Sequence, residues 1–420
     1  MPTIEPPVSG NDNESQGKEV SPPLTNSGVV AAPTPKTPAT PQASLQIEFG
    51  TDVKTQEKVI WEPTNTVKVL NPNTAIIGTM GTGKTQFTKS LVTQLIRNQG
   101  ENVDGKPIGV LILDYKADYV KPDFVEATNA KVLQLHHLPF NPFALFGDKP
   151  MLPMHTASQF RATIAKAFGL GSKQQQRINS LLIEAYETAG IHKADPTTWS
   201  KPAPTLQDVW VAYNAQEKVE EDSLYAALAE LTNFEIFEPD KTKAQSLYDM
   251  IDGVTVINLS GYDQVIQNLV VALTLDLFYA QMHQKGSSKI EDPHRQLTKF
   301  VLVDEADNFM KQEFPGLRKL LKEGREFGVG TILSTQELTH FKTANNDYSG
   351  YILSWIIHRV SSIKSQDIKS LFNTAGKDEV DSLINSIREL EKHQSLYVDG
   401  EKHISKIRDL AFWELNTKHD

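Results

Sequence analysis

Eight consecutive residues, Gly78-Thr79-Met80-Gly81-Thr82-Gly83-Lys84-Thr85, gather three glycines, a lysine and a hydroxyl into one stretch. A short apolar run, Thr74-Ala75-Ile76-Ile77, leads into it, and a helical pattern follows from Gln86. Glycines at 78, 81 and 83 let the backbone curl closely enough to aim its amides at phosphate oxygens. The following helix turns its partial positive end toward the same point. Lys84 offers a compact charge to β- and γ-phosphates, and Thr85 offers a hydroxyl to magnesium. The predicted phosphate-binding set therefore runs from Gly78 through Gln86. A chance glycine-rich turn does not explain the whole pattern set between a strand and a helix.

A second segment completes the chemistry. Phe300-Val301-Leu302-Val303-Asp304-Glu305 is a hydrophobic strand ending in two carboxylates. Strand alternation turns adjacent side chains apart, but at a strand's end both can reach one edge. Asp304 is the candidate to orient magnesium or its water, and Glu305 the candidate to polarise an attacking water. The plain alternative is a pair of surface carboxylates flanking a core strand. Gln336 closes another apolar run, Thr331-Ile332-Leu333-Ser334-Thr335, where an amide can report on the γ-phosphate. Arg325, among the glycines of Gly324-Arg325-Glu326-Phe327-Gly328-Val329-Gly330, is a candidate finger supplied in trans to a neighbouring subunit. Arg359, after Trp355-Ile356-Ile357-His358, is an alternative finger, and an ordinary salt bridge competes for either arginine.

Weaker signals surround these. Asp114 ends the strand-like Ile108–Asp114 run and is read as shaping the phosphate edge or coupling to substrate. His136-His137 resembles half a metal site, but neighbours on an extended segment are expected to point apart, and the sequence indicates no third ligand. Arg318, Lys319, Lys322 and Arg325 form a basic cluster that fits a polymer-facing surface or a solvated helix face equally well.

The elements that must position these groups follow from periodicity. Strands are predicted at 45–49, 58–61, 74–77, 108–114, 254–259, 300–304, 331–334 and 395–398, with helices at 86–97 and about 263–284. Alternation of strands and helices predicts an α/β fold with a mostly parallel sheet. Residues 155–250 read as helical throughout, with Thr205 and Asp208 as a capping pair, and form a predicted inserted subdomain. The resulting division is a proline-rich arm at 1–43, core at 44–154, helical insertion at 155–250, core at 251–415 and a tail at 416–420. The arm holds nine of the 23 prolines and no aromatic residue, and is expected to be disordered.

Composition is that of a globular chain, with 39% hydrophobic and 22% charged residues among 420. No cysteine is present, which excludes disulfides and thiolate metal sites and fits a cytoplasmic setting. No membrane segment is expected, because Val265 to Met282 is interrupted by Gln267, Asn268 and Asp276. A formal charge of −10 argues against a broadly basic surface but leaves room for a narrow positive channel.

Taken in order, the motifs resemble the HerA/FtsK-type P-loop ring ATPases. They are Trp61-Glu62-Pro63, the phosphate loop, Leu111-Ile112-Leu113-Asp114-Tyr115-Lys116, Asn141-Pro142-Phe143, Val303-Asp304-Glu305-Ala306, and the Gly324–Gly330 block leading to Ser334-Thr335-Gln336. The resemblance implies a RecA/FtsK-like fold, ATP and Mg2+ as ligands, a hexameric ring, Arg325 as the inter-subunit finger and double-stranded DNA as substrate. Within the group the chain resembles the ATPase portion of DptH-like proteins of phosphorothioation-dependent restriction, which implies antiviral defence and a partner nuclease. The expected function is an ATP-driven DNA translocase in such a complex. The alternatives are a conjugation or secretion motor and a nucleotide-gated scaffold. Two departures are evident: 45–75 is short for the N-terminal barrel of HerA, and no winged-helix DNA reader follows Trp413.

Overall fold

Alternate residues of short, fully buried strands feed two separate apolar layers, which fixes a sheet covered on both faces. Ala75, Ile77, Leu111, Leu113, Val301, Val303 and Leu333 face one layer, while Ile76, Val110, Ile112, Phe300, Leu302 and Ile332 face the other. The computed structural model describes residues 44–372, 374 and 376–416, so the arm at 1–43 and all of the tail at 416–420 except Asn416 lie outside the described residues.

The chain enters through β1 (Ile47–Asp52), β2 (Lys58–Trp61) and β3 (Thr74–Ile77), then α1 (Lys84–Arg97) and β4 (Gly109–Asp114). Next come α2 (Pro122–Thr128) and β5 (Lys131–Gln134), then α3 (Leu152–Phe168), α4 (Ser172–Thr188), α5 (Leu206–Asn214), α6 (Ser223–Asn233) and α7 (Leu247–Met250). The sheet resumes with β6 (Val254–Asn258), followed by α8 (Gln264–Lys285) and a two-stranded ribbon of β7 (Ile290–Glu291) and β8 (His294–Arg295). After β9 (Lys299–Val303) come α9 (Asp307–Met310), α10 (Pro315–Glu323), β10 (Val329–Thr335) and β11 (Ser354–Ile357). The last elements are α11 (Ser365–Phe372), α12 (Lys377–Arg388), β12 (Gln394–Val398), β13 (Ile404–Asp409) and α13 (Phe412–Asn416).

Eleven strands form one sheet in the order β2-β1-β13-β12-β11-β3-β10-β9-β4-β6-β5. From β11 to β5 every pairing is parallel, and from β11 outward to β2 every pairing is antiparallel. The α/β expectation therefore holds, with an antiparallel wing that periodicity did not reveal beyond its predicted strands. β5, β11 and β13 were not foreseen. α1, α2 and Phe412 cover one face, while α3 to α8 and α10 cover the other. The capping pair is formed: Asp208 N–H donates to Thr205 Oγ1 at 3.3 Å, and Thr205 N–H donates to Asp208 Oδ2 at 2.7 Å.

α8, which contains the interrupted apolar stretch Val265 to Met282, meets the length and hydropathy of a membrane span, and 72% of its most apolar window is buried inside the fold. It serves as the spine against which α3 and α10 pack.

A candidate nucleotide-binding site

The phosphate loop leaves β3, the middle strand of the eleven, between β10 and β11. Three neighbours hold it open. Gly78 N–H donates to Thr335 O at 3.2 Å, Thr79 N–H to Arg359 O at 3.0 Å, and His393 N–H to Thr82 O at 3.0 Å. A Cβ on Gly78 would stand 2.6 Å from His358 Cβ, and one on Gly83 would stand 2.7 Å from His393 Nδ1. Gly83 is also in the left-handed region at φ +118° and caps α1 without a side-chain bond. Only glycine meets both conditions there.

Lys84 lies within the loop, its ammonium donating to the carbonyls of Gly78 and Thr79. Burial lowers its pKa, while Glu305 and Asp304 act in the opposite direction. Thr79, Met80, Gly81, Gly83, Lys84, Thr85 and Gln86 all line one cleft of about 480 Å³ with Asp304, Glu305 and Gln336. Thr82 is buried beneath it, its hydroxyl donating to Thr79 O at 2.8 Å.

The two carboxylates share this edge because the backbone turns at Glu305, which adopts φ 49°. A non-glycine residue in that region is uncommon and concentrates at functional sites. Asp304 is 4% exposed. Burial raises its pKa to about 7; a hydrogen bond from Ser334 pulls it down, and Glu305 and Asp114 push it up. Burial also raises Glu305, but bonds from Lys116 and Gln336 outweigh it and leave its pKa below the usual value. Gln336 Nε2 donates to Glu305 Oε2 at 2.9 Å, and the Lys116 ammonium pairs with Oε1.

Lys116 lay in a motif quoted from the sequence, yet no role was given to it. Its placement follows from Asp114, whose buried carboxylate accepts N–H bonds from Lys116 at 3.1 Å, Asp118 at 3.2 Å and Tyr119 at 2.8 Å. Asp114 thus shapes the loop after β4. Burial raises its pKa against those three bonds.

The two arginines fall differently. Arg359 follows β11 beside the phosphate loop, with its backbone carbonyl bound to Thr79 and its side chain exposed. Arg325 precedes β10, whereas Gln336 follows it, so the strand separates Arg325 from its own chain's cleft. Sequence reading also missed Lys392, His393 and Trp413, which complete the cleft wall from the antiparallel wing.

His136 and His137 do not point apart. Their ring centroids are 4.1 Å apart and both face Glu235, because His137 has φ 50° and breaks strand alternation.

A mostly parallel sheet with a glycine loop after one strand and carboxylates after another defines the fold of a P-loop NTPase. Residues 50–278 match the family described as Helicase HerA, central domain, and the chain belongs to that family. VirB4 of Thermoanaerobacter pseudethanolicus is similar in structure, with a TM-score of 0.65 and 16% identity over 88% of this chain and 97% of that one. The plasmid coupling protein TrwB in complex with ADP and Mg2+ superposes with a TM-score of 0.49 and 12% identity over 80% of this chain and 84% of that one. No curated protein matches in sequence.

Proposed function

We propose that the chain is an ATP-hydrolysing motor that works as a ring of identical subunits and moves a polymer. The observation that carries the reading is the convergence of the phosphate loop, Asp304, Glu305 and Gln336 on one cleft. Two features support a bound nucleotide. Side chains are excluded where Gly78 and Gly83 approach their neighbours. Gln86 Oε1 and His393 Nδ1, both on residues of the cleft wall, are buried without a hydrogen-bond partner. A buried polar atom left unpaired is costly, and a bound ligand or water removes that cost.

In this reading Lys84 and the loop amides of residues 79–85 hold the β- and γ-phosphates. Thr85 and Asp304 would hold Mg2+, whose bound form neutralises charge on the transferring phosphoryl group. The crowding of Asp304 by Glu305 and Asp114 suits a cation there. Glu305 accepts a proton from the attacking water, Gln336 registers the γ-phosphate, and Arg325 of a neighbouring subunit stabilises the developing charge. The core at 44–154 and 251–415 carries this chemistry, and the helical block at 155–250 is proposed as a distinct inserted part.

For the setting, we favour a conjugation or secretion machine over a defence complex. The VirB4 likeness spans nearly the whole of both chains, and nothing in the comparisons speaks for phosphorothioation-linked restriction. Double-stranded DNA is the substrate we propose first. The test is Mg2+-dependent ATP hydrolysis with and without linear duplex DNA, with Glu305→Gln as control. DNA-stimulated turnover abolished by that substitution is expected. A DNA-indifferent rate points to a protein substrate or a gated scaffold.

A further inference from the structure

We propose that His136, His137 and Glu235 hold one zinc ion, which ties the edge of the core sheet to the helical block. The inference is independent of the nucleotide reading. Its ligands come from distant stretches of chain. His136 and His137 follow β5, the edge strand of the sheet, and Glu235 follows α6. His136 Nδ1 lies 3.9 Å and His137 Nε2 3.0 Å from the same oxygen, Glu235 Oε2. One ligand atom from each of the three residues falls within 4.8 Å of the others. Zinc bonds of about 2.1 Å at the tetrahedral angle put neighbouring ligand atoms about 3.4 Å apart. The two observed distances bracket that spacing. A plain surface ion pair accounts for His137 with Glu235. It does not account for a second imidazole turned to the same carboxylate, with ring centroids 4.1 Å apart.

The backbone beneath these side chains is anchored. His137 N–H donates to Glu235 O at 2.8 Å, Leu138 N–H to Ile236 O at 2.9 Å, and Glu238 N–H to Leu138 O at 3.0 Å. Leu138, Ile236 and Phe237 are buried, so the two segments are zipped together before any ion arrives. Both His137 and Glu235 adopt left-handed backbone, at φ 50° and 48°, which few non-glycine residues do. A further carboxylate orients the second histidine. Glu238 is buried, with Oε1 accepting from Asp240 N–H at 3.0 Å and Oε2 standing 3.8 Å from His137 Nδ1. A proton kept on Nδ1 by that carboxylate leaves the Nε2 lone pair for the metal, the arrangement that metal-bound histidines favour. Two imidazoles and one carboxylate suit zinc, whereas magnesium and calcium take oxygen ligands. His136 and Glu235 are exposed, so water reaches the fourth position.

The experiment titrates Co2+, a spectroscopic stand-in for zinc, into the chelator-treated full chain without a histidine tag. Excess Mg2+ is present to fill sites that prefer hard cations. One Co2+ per chain is expected, with the intense visible absorption of a four-coordinate ion, and Zn2+ should bleach it. His136→Ala and Glu235→Gln should each weaken binding by more than the roughly 10- to 100-fold that loss of an outer partner costs. Zn2+ should also raise the melting temperature of the wild type and leave that of His136→Ala unmoved. His136 is exposed, so that variant is expected to fold, and its melting curve without metal checks this. No stoichiometric Co2+ in the wild type, or either variant binding as tightly as the wild type, would overturn the site. A wild-type melting temperature indifferent to bound zinc would overturn the tie between sheet and helices.

Discussion

Lys116 and Glu305, 189 residues apart, are ion-paired across the ends of adjacent parallel strands, with Gln336 bound to the other carboxylate oxygen. Both oxygens of the candidate base are therefore engaged before any water is polarised. In the proposed mechanism such an arrangement would restrain Glu305 until a ligand draws Lys116 or Gln336 away. Lys116→Ala is expected to raise ATP turnover severalfold in the absence of DNA and to blunt its stimulation by DNA. A fall in the unstimulated rate at unchanged KM would show instead that Lys116 acts on the transition state.

Replacing Glu305 with Gln keeps the hydrogen-bonding shape of the site and removes the proton acceptor. Loss of general-base action costs on the order of 10²–10⁴ in rate. The expected result is a kcat lowered by that amount with nucleotide binding retained. Lys84→Ala should instead abolish binding, which equilibrium titration with a fluorescent nucleotide distinguishes.

Arg325 stands at the entry end of β10 and Gln336 at its exit. The six steps of about 3.3 Å from Val329 to Thr335 make β10 roughly 20 Å long, and that strand lies between Arg325 and the cleft that Gln336 lines. Arg325→Ala alone should lower turnover by up to roughly 10³-fold if it supplies charge in trans. Mixed with inactive Lys84→Ala subunits, it should regain part of the rate through hybrid interfaces. Mixtures no more active than either parent would rule out the trans assignment.

Asp276 lies within α8 and is buried, its Oδ2 accepting from Thr163 Oγ1 at 3.0 Å. Burial raises its pKa from 3.8, against hydrogen bonds from Thr163 and Gln159. The folded chain therefore holds this proton more firmly than the unfolded chain. Its stabilising effect is full below the unfolded value and is lost as pH rises through the folded one. Asp276→Asn keeps an acceptor for Thr163 and removes the titration. Its melting temperature should exceed wild type at pH 8, with a gap that narrows toward pH 4. A gap that does not change with pH would refute the assignment.

The parts legible in the sequence were those whose chemistry is local. Gly78 to Thr85 carries its own geometry, and the Val303-Asp304-Glu305 strand end reads directly because both neighbours of the peptide bond matter. The long helix and the parallel strands show through their periodicity. Lys116 escaped assignment because its partner is fixed only by the pairing of β4 with β9. His393 and Trp413 escaped because antiparallel pairing of β12 with β13 folds the chain back onto the loop. His136 and His137 were misjudged through strand alternation, which a single residue at φ 50° reverses.

All seven residues of β10 are buried, and the strand is bonded to a parallel neighbour on each side. Such a strand cannot bend independently of the sheet. In the proposed mechanism, any displacement of Gln336 on loss of phosphate would be delivered toward Arg325 as the travel of a connecting rod. Were Arg325 to reach the next subunit as proposed, successive sites would be coupled in series through one straight piece of backbone.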